Sequence, residues 1–337
     1  TSVPDTKTLG VKAQGQSTTA IGLSTVYCDG ILQRTPVYKK EDLQPCRTLV
    51  GPAIILENDS TTIIEPEWQA ELHENDTLSL TRVGAKNMVH AATDKPDPIL
   101  LEIFNNLFMS VAEEMGAVLA KTAHSVNVKE RLDFSCAVFD QNGQLIANAP
   151  HMPVHLGSMG ESVIAIKEAR GNSIKRGDVF MVNDPYAGGT HLPDITVISP
   201  VFLEGQQSPD FFVASRGHHA DIGGISPGSM PPNSRTIEEE GIRFTNFDLV
   251  SEGTFNEAAV RRALTSGPYP ARSPDQNIAD LKAQIAANKR GAQQVIHLVG
   301  HFGRATVHSY MRHVQDNAEE AVRRVIDTLE AGAFAYP

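Results

Sequence analysis

Two short stretches of the chain concentrate side chains that bind cations or move protons. NDPYAGGTHLPD, residues 183–194, holds Asp184, His191 and Asp194, and RGHHADIGG, residues 216–224, adds His218, His219 and Asp221. Pro193 bars a helix interior between His191 and Asp194, so these two converge through a loop that enters the apolar run ITVISP. Loops at strand ends are where scaffolds carry chemistry. A single His or Asp would be read as a hydrogen-bonded core residue or a turn cap; two such groups at the ends of neighbouring strands point to a site. A set of nitrogen and oxygen donors without thiolate suits Zn²⁺, Mn²⁺ or Fe²⁺ and differs from a closed structural zinc. A divalent ion held there would bring the pKa of a bound water from 15.7 to about 7. The metal-free alternative uses His218 or His219 as general base oriented by Asp221. Both chemistries remain open at this level.

Other groups stand near these two. Asp133, in NVKERLDFSCAVFD, precedes a strand and is either a cap or salt-bridge partner or a functional carboxylate. His151 and His155, in PHMPVHLGSMG, flank a bend and are read as positioning groups. Gly188, Gly189, Gly223 and Gly224 supply backbone N–H groups able to cradle an anion. The chain contains neither GxxxxGK[ST] nor GxGxxG, which argues against an autonomous nucleotide loop. Ser158 and Ser215 lack the GxSxG context of a serine hydrolase.

The elements that must position these groups follow from periodicity. Residues 1–85 carry short β-branched runs (STTIIEP, GPAIIL, LSLTRV) punctuated by turn dipeptides, which predicts a small β-rich domain. Residues 86–97 show no period and read as a linker. From Asp97-Pro98 a helix is predicted, with Ile103, Phe104, Leu107, Phe108, Val111, Met115 and Leu119 on one stripe. A hairpin over DFSCAVFD-QNG-QLIANA follows, then a helix near residues 161–169 and the strands DVFMV, ITVISPVF and DFFVASRG. Two long helices, about 275–299 and 306–330, complete the chain. The fold class is therefore α+β: a β-rich N-terminal domain, then a larger mixed domain over residues 98–337 that ends in long helices.

Composition narrows the partners. At 337 residues, with 41% hydrophobic and 20% charged residues, the chain is ordinary globular protein. Its net charge of −11 and the lack of a basic run disfavour nucleic acid. No apolar run reaches the roughly 18 residues that span a bilayer, and three cysteines without CxxC spacing suit a reducing compartment, so a cytoplasmic location is expected.

The segments NVKERLDFSCAVFD, NAPHMPVHLGSMGESV, GDVFMVNDPYAGGTHLPDITVISPVF, FFVASRGHHADIGGISPGSMPPNS and IEEEG resemble the hydantoinase B half of the hydantoinase/oxoprolinase family. STVYCDGILQRTPVYKKEDLQPCRTLVGPAIILENDSTTIIEPEW resembles the last domain of the family's hydantoinase A half. Having both in one chain is the fused arrangement of the oxoprolinase members rather than the two-subunit arrangement of hydantoinases. The resemblance implies a piece of a longer polypeptide, in which an upstream region binds ATP with Mg²⁺ and phosphorylates the lactam oxygen of 5-oxoproline. The hydantoinase B half then adds water and opens the ring to glutamate. Hydantoin hydrolysis, ATP-dependent ketone carboxylation and a catalytically incomplete scaffold are the alternatives. Carried over by motif, the metal set falls on Asp133, His191, Asp194 and His218, the last preferred to His219 because consecutive strand residues face opposite ways. His219, Asp221 and His155 are left as acid/base groups, and Arg131, Ser229 and Arg235 as candidate substrate contacts. The implied partners are the ATP-binding part of the same polypeptide and a further copy of the chain.

Overall fold

The computed structural model describes residues 19–28, 31–83, 96–149, 151–155, 157–333 and 335. It divides into two compact units, residues 1–89 and 90–337. The expected linker at 86–97 lies outside the described residues except for Pro96 and Asp97.

In the first unit, β1 (Gly22–Cys28), β2 (Ile31–Lys39), β4 (Ala53–Leu56) and β5 (Thr61–Ile64) form one sheet; β3 (Thr48–Val50), β6 (Trp68–Leu72) and β7 (Leu78–Arg82) form another. Alternation places Ala53, Ile55, Ile64 and Ala70 inward as a small core.

The second unit is built on a seven-stranded antiparallel sheet in the order β14-β13-β10-β11-β12-β8-β9. Its strands are β8 (Phe134–Phe139), β9 (Leu145–Asn148), β10 (Val179–Val182), β11 (Asp194–Val201), β12 (Phe211–His218), β13 (Phe247–Ser251) and β14 (Thr254–Phe255). The helices are α1 (Pro98–Thr122), α2 (Val126–Lys129), α3 (Met159–Arg170), α4 (Glu257–Thr265), α5 (Pro274–Phe302) and α6 (Arg304–Asp327). α1 starts where Asp97 caps it, its carboxylate accepting from the N–H groups of Ile99 at 2.8 Å and Leu100 at 3.1 Å, with Pro98 in the first turn. Its stripe of Phe104, Phe108, Val111, Met115 and Leu119 packs with Phe134, Cys136, Val138 and Val213 on one face of the sheet, beside α5. The other face is covered by α3, where Met159, Val163 and Ile166 meet Ala137, Phe139, Ile198 and Ala214.

Because both faces are covered, β11 is buried throughout and β12 at all but its last residue, and so these strands read as continuous apolar runs. They pair in register from Asp194 opposite His218 to Val201 opposite Phe211. At the far end their connector is closed by Asp210, whose N–H donates to Val201 O at 2.9 Å and whose carboxylate accepts from Leu203 N–H at 3.3 Å. Arg176 holds the same connector through the carbonyls of Phe202 and Leu203, at 3.0 and 2.8 Å. The short elements α2, α4, β13 and β14, of two to nine residues each, are not among the elements expected from the sequence.

Candidate functional site

Asp194 and His218 are cross-strand partners, so the ladder itself brings them together on the face that carries α3. His191 precedes Asp194 in a tight turn, in which Asp194 N–H donates to His191 O at 2.9 Å. One donor atom each from His191, Asp194 and His218 lies within 4.8 Å of the other two. The imidazoles of His191 and His218 are 5.3 Å apart between ring centres. A fourth group, His155, arrives from the turn before α3: its Nε2 is 3.5 Å from Asp194 Oδ1, while Nδ1 is held by Ser135 Oγ at 3.0 Å.

The loop that delivers His191 is fixed by its own polar groups. Asn183 is fully buried; its amide donates to Leu192 O at 2.7 Å and Ile242 O at 2.9 Å and accepts from Phe244 N–H at 2.6 Å. Asp184 accepts from Tyr186 N–H and Thr245 Oγ1 and lies 3.8 Å from Arg243, so its carboxylate builds the loop instead of joining the cluster. Gly189 has no room for a side chain, since a Cβ would stand 2.2 Å from the Asn183 carbonyl carbon.

The electrostatics centre on Asp194, 7% exposed. Burial opposes its ionisation, but contacts with His155 and His191, and the field of His218, hold the carboxyl well below the usual carboxylate range. Its Oδ1 makes no hydrogen bond but faces His155 Nε2 at 3.5 Å, while Oδ2 lies 3.6 Å from His191 Nδ1. A buried carboxylate whose donor atom converges with those of two imidazoles, His191 and His218, fits a divalent cation of the kind that takes nitrogen and oxygen donors. Asn127 stands behind His218, its amide 3.0 Å from Nδ1. As placed, the Asn127 NH₂ group donates to Nδ1; a cation on Nε2 would put the proton on Nδ1, and the amide would then have to turn so that its carbonyl oxygen accepts it.

Beneath the cluster lies Arg216, completely buried. Its guanidinium donates to the hydroxyls of Thr196 at 2.8 Å, Ser162 at 2.9 Å and Ser158. Burial brings its pKa down to about 10, against the field of Asp194. From the opposite face α5 grips the same strand pair with a polar stripe. Gln284 donates to the carbonyls of Ile195 and Ser215, each at 3.0 Å, and Asn288 donates to Val197 O at 2.9 Å.

Several expected site residues fall elsewhere. His219 points to α5 and is fully buried, with Nε2 3.1 Å from Gln284 Oε1 and Nδ1 3.2 Å from Asn277. Both ring nitrogens are occupied and burial pushes its pKa down; the imidazole is held against α5 and is not brought to the His191–Asp194–His218 group. Asp221 accepts from the N–H groups of Gly223 at 3.0 Å and Gly228 at 3.1 Å and pairs with Arg272 at 2.7 Å; it organises the 221–229 loop and does not orient His219. Asp133 is not part of the three-residue group, although its carbonyl accepts from His218 N–H at 3.0 Å and so anchors the end of β12. Ser229 is buried and engaged with Ile222 N–H and Gly223 O, which withdraws it from substrate contact. Arg235 and Arg131 are exposed; Arg235 N–H donates to Glu239 at 2.6 Å. His151 accepts from Cys136 N–H at 3.3 Å and packs tilted against the Phe134 ring, 4.7 Å between centres.

Residues 97–336 match the hydantoinase B/oxoprolinase family and residues 3–83 the hydantoinase/oxoprolinase C-terminal domain. Among curated relatives, 5-oxoprolinase 1 of Arabidopsis thaliana is 45% identical over 312 residues, covering 90% of this chain and 24% of its own. The 5-oxoprolinase of Saccharomyces cerevisiae is 44% identical over 308 residues, covering 89% and 24%. The chain thus spans about a quarter of the length of these relatives. Among solved structures, the ATP-dependent caprolactamase from Pseudomonas jessenii superposes with a TM-score of 0.64 at 29% identity, covering 71% of this chain and 40% of its own. Acetone carboxylase, at 19% identity and a TM-score of 0.57, covers 68% and 30% and shares the fold. The chain belongs to the hydantoinase B/oxoprolinase family, preceded in the same polypeptide by a hydantoinase/oxoprolinase C-terminal domain.

Proposed function

We propose that this chain carries the ring-opening half of an ATP-dependent hydrolase of cyclic amides, acting on 5-oxoproline, with His191, Asp194 and His218 as ligands of one divalent cation. The observation that carries the reading is the convergence of His191, Asp194 and His218, with one donor atom each inside 4.8 Å, where β11 and β12 pair at Asp194 and His218. The relatives named 5-oxoprolinase support the substrate, and ATP would be bound by a part of the polypeptide outside this chain. A cation at these ligands supplies Lewis-acid polarisation and an acidified water.

The chain's own residues do the rest. A proton must be taken up as water oxygen adds to the activated carbonyl carbon, and one must reach the ring nitrogen as the C–N bond breaks. His155 is placed to hold that proton at Nε2, 3.5 Å from Asp194, with Ser135 fixing the ring at Nδ1. Arg216 keeps positive charge beneath Asp194, which favours the carboxylate form of that ligand. Asn127 sets the tautomer of His218.

The test uses the complete polypeptide and follows glutamate release from 5-oxoproline with ATP. Asp194→Ala is expected to lower the rate at least about a thousandfold, the scale of losing a principal charge-stabilising element, and His155→Gln about a hundredfold, the scale of a general acid/base. A rate within twofold of the parent for Asp194→Ala would end the proposal.

A further inference from the structure

Beside the cluster, on the same face of the sheet, lies a cavity of about 270 Å³ between β8, β9 and the first turn of α3. Its walls are mainly apolar, formed by Ala137, Leu145, Met159 and Ile164, with Gly160 leaving one side open and His155 forming the wall toward Asp194. A largely apolar hollow with a few convergent polar groups is the ordinary form of a small-molecule site. His155 is 2% exposed and is shared between the two features: it lines the cavity, and its Nε2 is the atom 3.5 Å from Asp194.

We infer that this cavity is the subsite for the ring of the substrate: the methylenes of a small saturated lactam lie against Ala137, Leu145, Met159 and Ile164, and its amide edge turns toward His155 and the Asp194 cluster. The inference rests on the cyclic-amide reading given above and adds the place where the ring sits. Size sets the class. At about 270 Å³ the cavity stands at the small end of ligand sites, in the range of a five-membered lactam with one carboxylate. Among the described residues the walls carry the Glu161 carboxylate and no guanidinium or ammonium group, so the ring and not the carboxylate is the part that is gripped.

Gly160 makes the test clean. A Cβ at this position would meet only Gly143 O, at 3.8 Å, so a side chain enters the hollow without displacing backbone. In a helix, replacing glycine also favours folding. The parent chain loaded with Mn²⁺ is titrated with 5-oxoproline by equilibrium dialysis, alongside Gly160→Met; Mn²⁺ affinity is read separately by electron paramagnetic resonance, and the Met159 methyl signal by NMR. The expected result is lactam affinity lowered about tenfold or more in Gly160→Met, the scale of an overfilled apolar site. Mn²⁺ affinity and melting should be retained, and the parent's Met159 signal should move on adding 5-oxoproline. If Gly160→Met binds 5-oxoproline within twofold of the parent, or Met159 does not respond while binding occurs, the cavity is not the ring subsite and the functional reading stands. If the parent binds Mn²⁺ but neither 5-oxoproline nor 2-pyrrolidinone, subsite and substrate reading fall together.

Discussion

Replacing Asp194 separates a metal site from a merely polar one. A ligand that binds only the native state adds RT ln(1 + [L]/Kd) to stability, about 2.7 kcal/mol at a hundredfold excess over Kd. In a unit of this size each kcal/mol moves Tm by about 2–4 °C, so Mn²⁺ or Zn²⁺ should raise the melting temperature of the second unit by about 5–10 °C. Asp194 contributes the one anionic donor of the three-residue group, so Asp194→Asn should abolish the increment while the fold is kept. Asp221→Asn is the matched control, because its carboxylate is already engaged by Gly223, Gly228 and Arg272; that variant should melt lower but retain the full metal increment. Differential scanning calorimetry at several metal concentrations gives both numbers. If Asp194→Asn keeps the increment, or Asp221→Asn loses it, the assignment of ligands is wrong.

Asn127→Leu removes the group behind His218 Nδ1 and should weaken divalent binding about 10- to 100-fold, measured by Mn²⁺ titration. Arg216→Met leaves the buried hydroxyls of Thr196 and Ser162 and the half-buried one of Ser158 without their donor, at about 1–2 kcal/mol each. That is offset by about 3 kcal/mol no longer spent burying a charge, read from a pKa lowered to about 10; a net loss of about 0–3 kcal/mol is expected in urea unfolding. Asp221 has its pKa lowered because the N–H groups of Gly223, Gly228 and Arg272 and the Arg272 side chain outweigh burial. Its contribution is therefore complete above the unfolded carboxylate value of about 3.9 and is lost as pH falls through the lower folded value. The acid limb of stability against pH should be flatter in Asp221→Asn than in the parent.

Much of the sheet was legible because β8, β11 and β12 are long apolar runs and α1, α5 and α6 carry a 3.6-residue period. The His191–Asp194 turn was legible from Pro193. The side to which each of two adjacent histidines turns is set by register: Asp194 opposite His218 sends His218 to the cluster and His219 to α5, and pairing cannot be read from composition. Asp221 and Ser229 looked chemical because polar groups between glycines serve loops and sites alike; only their filled hydrogen bonds separate the two. Arg216 and the stripe Asn277, Gln284, Asn288 were missed, although each had a signal. One is an arginine inside the apolar run FFVASRGH, and the others are amides at helical spacing on the face that meets the sheet.

The connector closed by Asp210 lies at the opposite end of the β11–β12 pair from His191 and His218. Its hydrogen bonds act as a ruler: they determine which rung of the ladder faces which, and a creep of a single rung would turn Asp194 and His218 away from each other's side of the sheet. Changes of length within residues 204–208 are thus neutral for the cluster while Asp210 and Arg176 hold their carbonyl and amide partners. Loss of those anchors would misalign a cluster that neither of them touches.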